Sequence, residues 1–289
     1  MKAPNTKMNT EFVSTGNSHT SETNFLVSVV IPNMNRIDSL DEAIRSVLSQ
    51  DYKNVENIIV DDSRSDIFET IRNKYRQQEN IQVVRGDGKG DARARAKGVS
   101  ISNGNLIAFL DSDDIWLPGK LSNHIRLWIQ GKKIGFSWDI WQETGTGRSY
   151  EGGKFLGALS KFATVPGNKI FNYLWLVGND IHMSSGIASR ESIDAVGGFP
   201  LTNPCDWHLW MLLSTAFDGG FVDRVLTHKV ISGTSRGSNK KIILGEYIET
   251  IRIRFITFRH LKLRSEFSYV EIVRHFLIIS FYWLYILSR

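Results

Sequence analysis

The run "FLVSVVIP", Phe25 to Pro32, is the feature that most constrains this chain. A β-branched stretch without polar alternation reads as a strand buried on both faces, and Pro32 closes it. Such a strand needs cover on each side, so the residues between strands must supply helices. "SLDEAIRSVLSQ" does so, with Leu40, Ala43, Ile44, Val47 and Leu48 on one helical face and Ser39 and Glu42 spaced as a capping box. "VENIIVDD" then repeats the strand, "DIFETIRNKYRQQ" the helix and "IQVVRG" the strand. "GKGDARARAKGVSISNG" follows as a glycine-bounded helix, and "LIAFLDSDD" as a fourth strand. This alternation predicts βαβ units, hence an α/β fold with a mostly parallel central sheet and helices on both faces.

Ligands of open parallel sheets bind beyond the carboxyl ends of the strands. Asn33 and Asn35 follow the first strand, Asp61 and Asp62 end the second, and Asp111, Ser112, Asp113 and Asp114 end the fourth. Carboxylates this close repel one another and gain nothing from burial unless a cation or a hydrogen-bond donor shares the site. Two readings follow: a polar turn that caps the next helix, or a site for a hard divalent ion. Oxygen ligands suit Mn²⁺ or Mg²⁺, and the single cysteine, Cys205, rules out a cysteine cluster for a softer metal.

The rest of the chain is less regular. "LPGKLSNHIRLWIQ" reads as a helix, "IGFSWDIWQ" as a strand and "PCDWHLWMLLSTAF" as a helix, while glycine-rich 143–169 reads as a loop or short hairpin. Residues 1–24 are rich in Asn, Thr and Ser, with no apolar run, and are expected to be disordered rather than a signal peptide. One cysteine also excludes an internal disulfide and fits a reducing compartment.

Taken in order, "VSVVIPNMNR", "IIVDDSRSD", "GDARARAKG", "LIAFLDSDD", "VGGF" and "DWHLW" resemble the family 2 glycosyltransferases of the GT-A fold, a Rossmann-like architecture. The resemblance covers about Phe25 to Arg236 and implies a catalytic domain over 25–236. Its halves would be nucleotide-binding (25–118) and acceptor-binding (119–236). It implies an inverting hexosyltransferase that moves a sugar from a nucleotide-diphosphate donor, UDP being the expected nucleotide, to a lipid-linked or oligosaccharide acceptor of a bacterial surface polysaccharide. Pro32, Asn33 and Asn35 match the first nucleotide-contacting loop, Asp61 and Asp62 the pair that accepts from the base, and Arg95 a base- or phosphate-contacting arginine. Asp111-Ser112-Asp113 matches the Asp-X-Asp motif, with Asp111 near the ribose, Asp113 on the metal and Asp114 a second metal ligand. Gly197, Gly198 and Phe199 match a loop near the donor sugar and acceptor, the bland alternative being a turn between two strands. Asp206 matches the catalytic base. The chain departs from the family at Met34, usually aromatic, Ala96, usually Asn, and Cys205, often Glu. The His expected after the last strand is also missing: His228 comes too early, and Ser232 or Ser235 stands nearer.

The net charge of +5 is unevenly spread. Residues 236–289 hold ten Lys/Arg against four Glu, so the preceding residues sum to −1. Within the tail, 237–289, basic residues alternate with large apolar ones as in amphipathic helices, and the longest apolar run, 276–287, is too short to cross a bilayer. Such a tail suits the anionic inner leaflet, where lipid-linked acceptors would lie, and so implies a cytoplasmic protein, peripheral on the plasma membrane. Packing on the domain and a homodimer interface are the alternatives. Nucleic acid is not expected, because the basic residues are mixed with apolar ones.

Overall fold

The structure is a computed structural model that describes residues 25–130, 132–145, 151–159, 163–231, 250–254 and 256–257. The expected disorder of 1–24, Ser232 and Ser235, and most of the basic tail lie outside the described residues.

The first half follows the alternation: β1 (Val27–Asn33), α1 (Asp38–Leu48), β2 (Val55–Asp61), α2 (Ser65–Tyr75), β3 (Ile81–Arg85), α3 (Asp91–Ile101) and β4 (Leu106–Phe109). Next come β5 (Ile115–Trp116), α4 (Lys120–Ile129), β6 (Ile134–Thr144), β7 (Glu151–Gly152), α5 (Lys154–Gly157), β8 (Thr164–Val165) and α6 (Gly167–Leu176). A 3-10 turn (Met183–Ser185) leads into β9 (Gly186–Ser189), α7 (Arg190–Ala195), α8 (Cys205–Ser214) and β10 (Asp218–Val230). One sheet runs β3-β2-β1-β4-β9-β6-β10-β5. The β3-β2-β1-β4 half is wholly parallel, β6 and β10 are also parallel, and β9 is antiparallel to both β4 and β6.

Both faces are covered, which is why the strands lack polar alternation. Val27, Val29 and Ile31 of β1 pack with Leu40 and Ile44 of α1 and with Leu121 and Ile125 of α4. Val30, on the opposite face, joins Val99 of α3 and the large cluster around Trp138, Trp207 and Trp210. Gly98 is needed for that contact, since a Cβ there would collide with Val30.

Two local expectations are corrected. Helix α1 starts at Asp38 with Ile37 at its N-cap and no side-chain cap bond, so Ser39 and Glu42 form no capping box. The first-turn carboxylates of Asp38 and Asp41 favour the positive end of the helix dipole instead. The Gly197-Gly198 turn does not join two strands. It ends α7, with φ of 97° and 90°, and Gly198 N–H donates to Ile193 O at 2.9 Å, a glycine-dependent helix stop. Within 143–169, β7 pairs back on β6 as a short hairpin, and α5, β8 and the start of α6 follow.

Candidate active site

The parallel half delivers its polar residues to one edge. Pro32 is buried within β1, opposite Val60, and Asn33 ends the strand opposite Asp61. The Asn33 amide donates to Asp61 Oδ1 at 2.7 Å, and the Ser63 hydroxyl donates to the same oxygen at 2.5 Å. Asn35 takes a left-handed conformation, φ 55°, held by its N–H to Ser63 Oγ (2.7 Å) and by Arg64 N–H to its side chain (3.2 Å). Asp61 Oδ2 and Asn33 Oδ1 are buried acceptors without a partner among the described residues, which a ligand N–H would satisfy. Asp62 accepts from Gly88 N–H at 2.8 Å, and a Cβ on Gly86 would strike its carboxylate, so a glycine there lets the loops close.

At the end of β4 the acidic residues find separate partners. Asp111 Oδ1 accepts from Arg95 Nη2 at 2.5 Å, and its N–H donates to Ser184 Oγ at 3.0 Å. Burial would raise the Asp111 carboxyl, but Arg95, His182 and Arg36 outweigh it and hold the group below its usual range. Asp113 pairs with Arg36 at 2.9 Å, and Ser112 Oγ lies 3.5 Å from the same guanidinium. Asp114 is buried: Oδ2 meets His182 Nε2 and Ser184 Oγ, each at 2.6 Å, and Oδ1 accepts from Val230 N–H at 3.2 Å. Burial alone would depress the His182 imidazole, yet Asp114 and Asp111 keep it above its ordinary value. Asp111, Asp114 and His182 each offer a ligand atom within 4.8 Å of the others. Two carboxylates and an imidazole make a donor set that suits Mn²⁺.

Arg95 is buried and engages Asp91 (2.8 Å) and Cys205 Sγ (3.2 Å) through Nη1 and Asp111, its strong tie, through Nη2, while its buried Nε has no partner among the described residues. Burial pushes the Cys205 thiol up to about 12, so it stays neutral as an acceptor. The next residue, Asp206, sits in the first turn of α8, accepting from Trp207 N–H (2.7 Å) and from the Asn179 amide (2.8 Å). Burial moves the Asp206 carboxyl above its usual range, against the lowering effect of Trp207 N–H, His182 and Arg95.

The structure thus gathers Asp111, Asp113, Asp114 and Asp206 around Arg95, Arg36 and His182. Phe199 is not among them; its ring is buried in the core, 5.4 Å from that of Phe109. His228 lies within β10 and pairs with Ile115 of β5. Sequence reasoning missed His182, Ser184, Asn179 and Arg36. "GNDIHMSSG" carries no periodicity or spacing that would mark His182 or Ser184, and Arg36 is one cation in a polar stretch after the first strand. Also missed is the buried network beneath the 3-10 turn. Lys120 pairs with Asp139, donates to Ser185 O at 3.2 Å and to Thr227 Oγ1 at 3.1 Å, and is fully buried.

A parallel half, acidic at its edge, joined to a mixed half that brings a further carboxylate to the same edge, is the architecture of the GT-A glycosyltransferases. The chain belongs to glycosyl transferase family 2, whose family model matches residues 28–194. It is 32% identical over 217 residues to the UDP-Glc:alpha-D-GlcNAc-diphosphoundecaprenol beta-1,3-glucosyltransferase WfaP of Escherichia coli, covering 74% of this chain and 81% of that one. Among solved structures it resembles S. aureus TarS 1-349 in complex with UDP-GlcNAc, with TM-score 0.62, 17% identity, and 86% of this chain and 70% of that chain covered. It also resembles the mannosyltransferase PcManGT of Pyrobaculum calidifontis in complex with GDP-Man and Mn²⁺, with TM-score 0.58, 16% identity, and 81% and 64% covered. Those two likenesses concern the fold.

Proposed function

We propose that the chain transfers a hexose from a UDP-sugar to a lipid-linked glycan acceptor, with inversion, using Asp206 as base. The observation that carries this reading is Arg95. By holding Asp111 at the end of β4 and Cys205 beside Asp206, it fixes the donor-side carboxylate and the base relative to one another. The relative WfaP supports the UDP-sugar and the undecaprenol-linked acceptor, and TarS in complex with UDP-GlcNAc supports the nucleotide.

The unpartnered oxygens of Asp61 and Asn33 are suited to the imide N–H of a uracil ring, a contact strengthened by the carboxylate charge. Asp111, Asp114 and His182 would hold a divalent cation, with Asp113 joining once freed from Arg36. Such an ion offsets the charge that grows on the leaving diphosphate. Asp206 takes the acceptor hydroxyl proton as its oxygen attacks the anomeric carbon. Its raised pKa improves it as a base, and Asn179 fixes its orientation. Gly197 and Gly198 would border the acceptor. No described helix is long and apolar enough to cross a membrane. The basic, apolar residues of 237–289 support a tail that lies on the inner face of the membrane, near a lipid-linked acceptor.

The test is turnover of UDP-glucose on a GlcNAc-diphospho-lipid with Mn²⁺, with the product anomer read by NMR. Asp206→Asn should bind UDP as the parent does and lose kcat by roughly 10²–10⁴-fold. A parent protein that binds no UDP with Mn²⁺ present overturns the whole reading. Unchanged turnover in Asp206→Asn overturns the assignment of the base.

A further inference from the structure

Two guanidinium groups serve the acidic edge, and they differ in one respect that matters. Arg95 is 5% exposed and tied to Asp91, Asp111 and Cys205 at once, so it cannot leave. Arg36 is 46% exposed on its side chain and, among the described residues, pairs with Asp113 alone, at 2.9 Å, with Ser112 Oγ at the limit of hydrogen-bond reach. An ion pair of that exposure is weak and easily exchanged. The loop beneath it is not loose, because Asn35 is held through its backbone N–H by Ser63 and through its side chain by Arg64. The guanidinium is therefore mobile at its tip on a fixed base, above three carboxylates within four residues.

Resting on the UDP-sugar reading, we infer that Arg36 is an exchangeable counter-charge: it occupies Asp113 in the free protein and turns to the donor's diphosphate when a divalent cation takes its place. Arg36 holds Asp113 through Oδ2 in an exposed pair, and a divalent ion that drew on both carboxylate oxygens would displace it, so the two compete for one carboxylate. The released fork matches phosphate oxygens in bidentate geometry, which a lysine cannot copy. The exchange keeps charge balanced on both sides. The carboxylate trades one cation for another, and the diphosphate gains a cation within side-chain reach of the site.

The test uses the full chain and calorimetric titration with uridine, UMP and UDP in the presence of Mn²⁺, and with MnCl₂ alone. Arg36→Gln should weaken UDP about tenfold or more, as expected for loss of a charge-assisted bond. It should weaken UMP less and leave uridine unchanged. MnCl₂ alone should bind several-fold more tightly to Arg36→Gln than to the parent, because the competitor for Asp113 is gone. Arg36→Lys should restore part of the UDP affinity. Equal losses for uridine and UDP would make Arg36 a support of the base loop and overturn the inference. Unchanged UDP affinity, or Mn²⁺ binding that stays the same or weakens, would also overturn it. If the parent itself binds neither UDP nor Mn²⁺, the proposed function falls and the inference falls with it. A parent that binds both beside an Arg36→Gln variant that behaves identically sinks the inference alone.

Discussion

His124 should make the protein acid-labile through one identifiable proton. The residue is fully buried: Nε2 lies 3.0 Å from Asp139 Oδ2 and Nδ1 2.6 Å from Ser137 Oγ. The ionised carboxylate can only accept, so Nε2 carries the hydrogen, and the Ser137 hydroxyl donates to Nδ1. Every polar atom of the ring is then satisfied by a neutral imidazole. Asp139 already neutralises Lys120, so a proton on His124 would add an uncompensated charge to a dry site. Burial, then the Lys120 charge, lowers the His124 pKa from 6.5 to about 4, despite the opposing pull of Asp139. The unfolded chain binds this proton below about 6.5 and the folded chain only below about 4. Stability from this group is therefore intact above pH 6.5 and drains as pH falls through the window, at up to ~1.4 kcal/mol per unit and about 3 kcal/mol in all. That is a large part of the roughly 5–15 kcal/mol that holds a typical domain. Urea unfolding at pH 7, 5.5 and 4, on the parent and on His124→Gln, isolates the term. Gln can donate to Asp139 and accept from Ser137 but does not titrate, while the carboxylates common to both proteins shift both curves alike. The parent should lose about 3 kcal/mol more than the variant between pH 7 and 4. Parallel pH dependences would refute the argument.

Two shorter predictions concern the site. Because burial raises the Asp206 pKa, the proposed base is lost to protonation at a pH above the ordinary 3.8, and the acid limb of kcat/KM should lie above that value. A limb at or below it would mean that another group, or none, titrates. His182→Ala should weaken Mn²⁺ about tenfold or more in a nucleotide-free titration, since it removes the one imidazole donor beside the carboxylates. Unchanged Mn²⁺ affinity would place the ion elsewhere.

The parallel half was legible because its physics is local. Strands covered on both faces, such as Val27–Asn33 and Val55–Asp61, read as unbroken apolar runs, and the helices between them keep one apolar face. Beyond β4 the signal fails for a physical reason. Strand β10, "DGGFVDRVLTHKV", carries charges and register shifts against β6, and its two glycines lie under Trp138 and Ile134, contacts made only in the folded chain. Short β9 is recruited between β4 and β6 with no pattern of its own. The carboxylates at strand ends could be seen for the same reason as the strands. His182, which meets Asp114 across 68 positions, could not.

Arg95 ties Asp91, Asp111 and Cys205 together, and this has a consequence for the proposed reaction. With Asp111 Oδ1 committed to a buried guanidinium, that carboxylate has one oxygen left for a cation, and its position is set before any ligand arrives. Asp114 is likewise fixed through Ser184 and Val230 N–H, and the turn that carries Ser184 rests on Lys120 and Thr227. The electrostatic framework is thus built into the fold from buried pairs that cannot rearrange. Among the described residues, the exposed Arg36–Asp113 pair and the His182–Asp114 contact are the ion pairs left for a ligand to alter. In the proposed reaction such a site would meet growing negative charge on a leaving diphosphate with groups already in place, and preorganisation of that sort is where electrostatic stabilisation is largest. Adaptation to the ligand is confined to the few groups that can move.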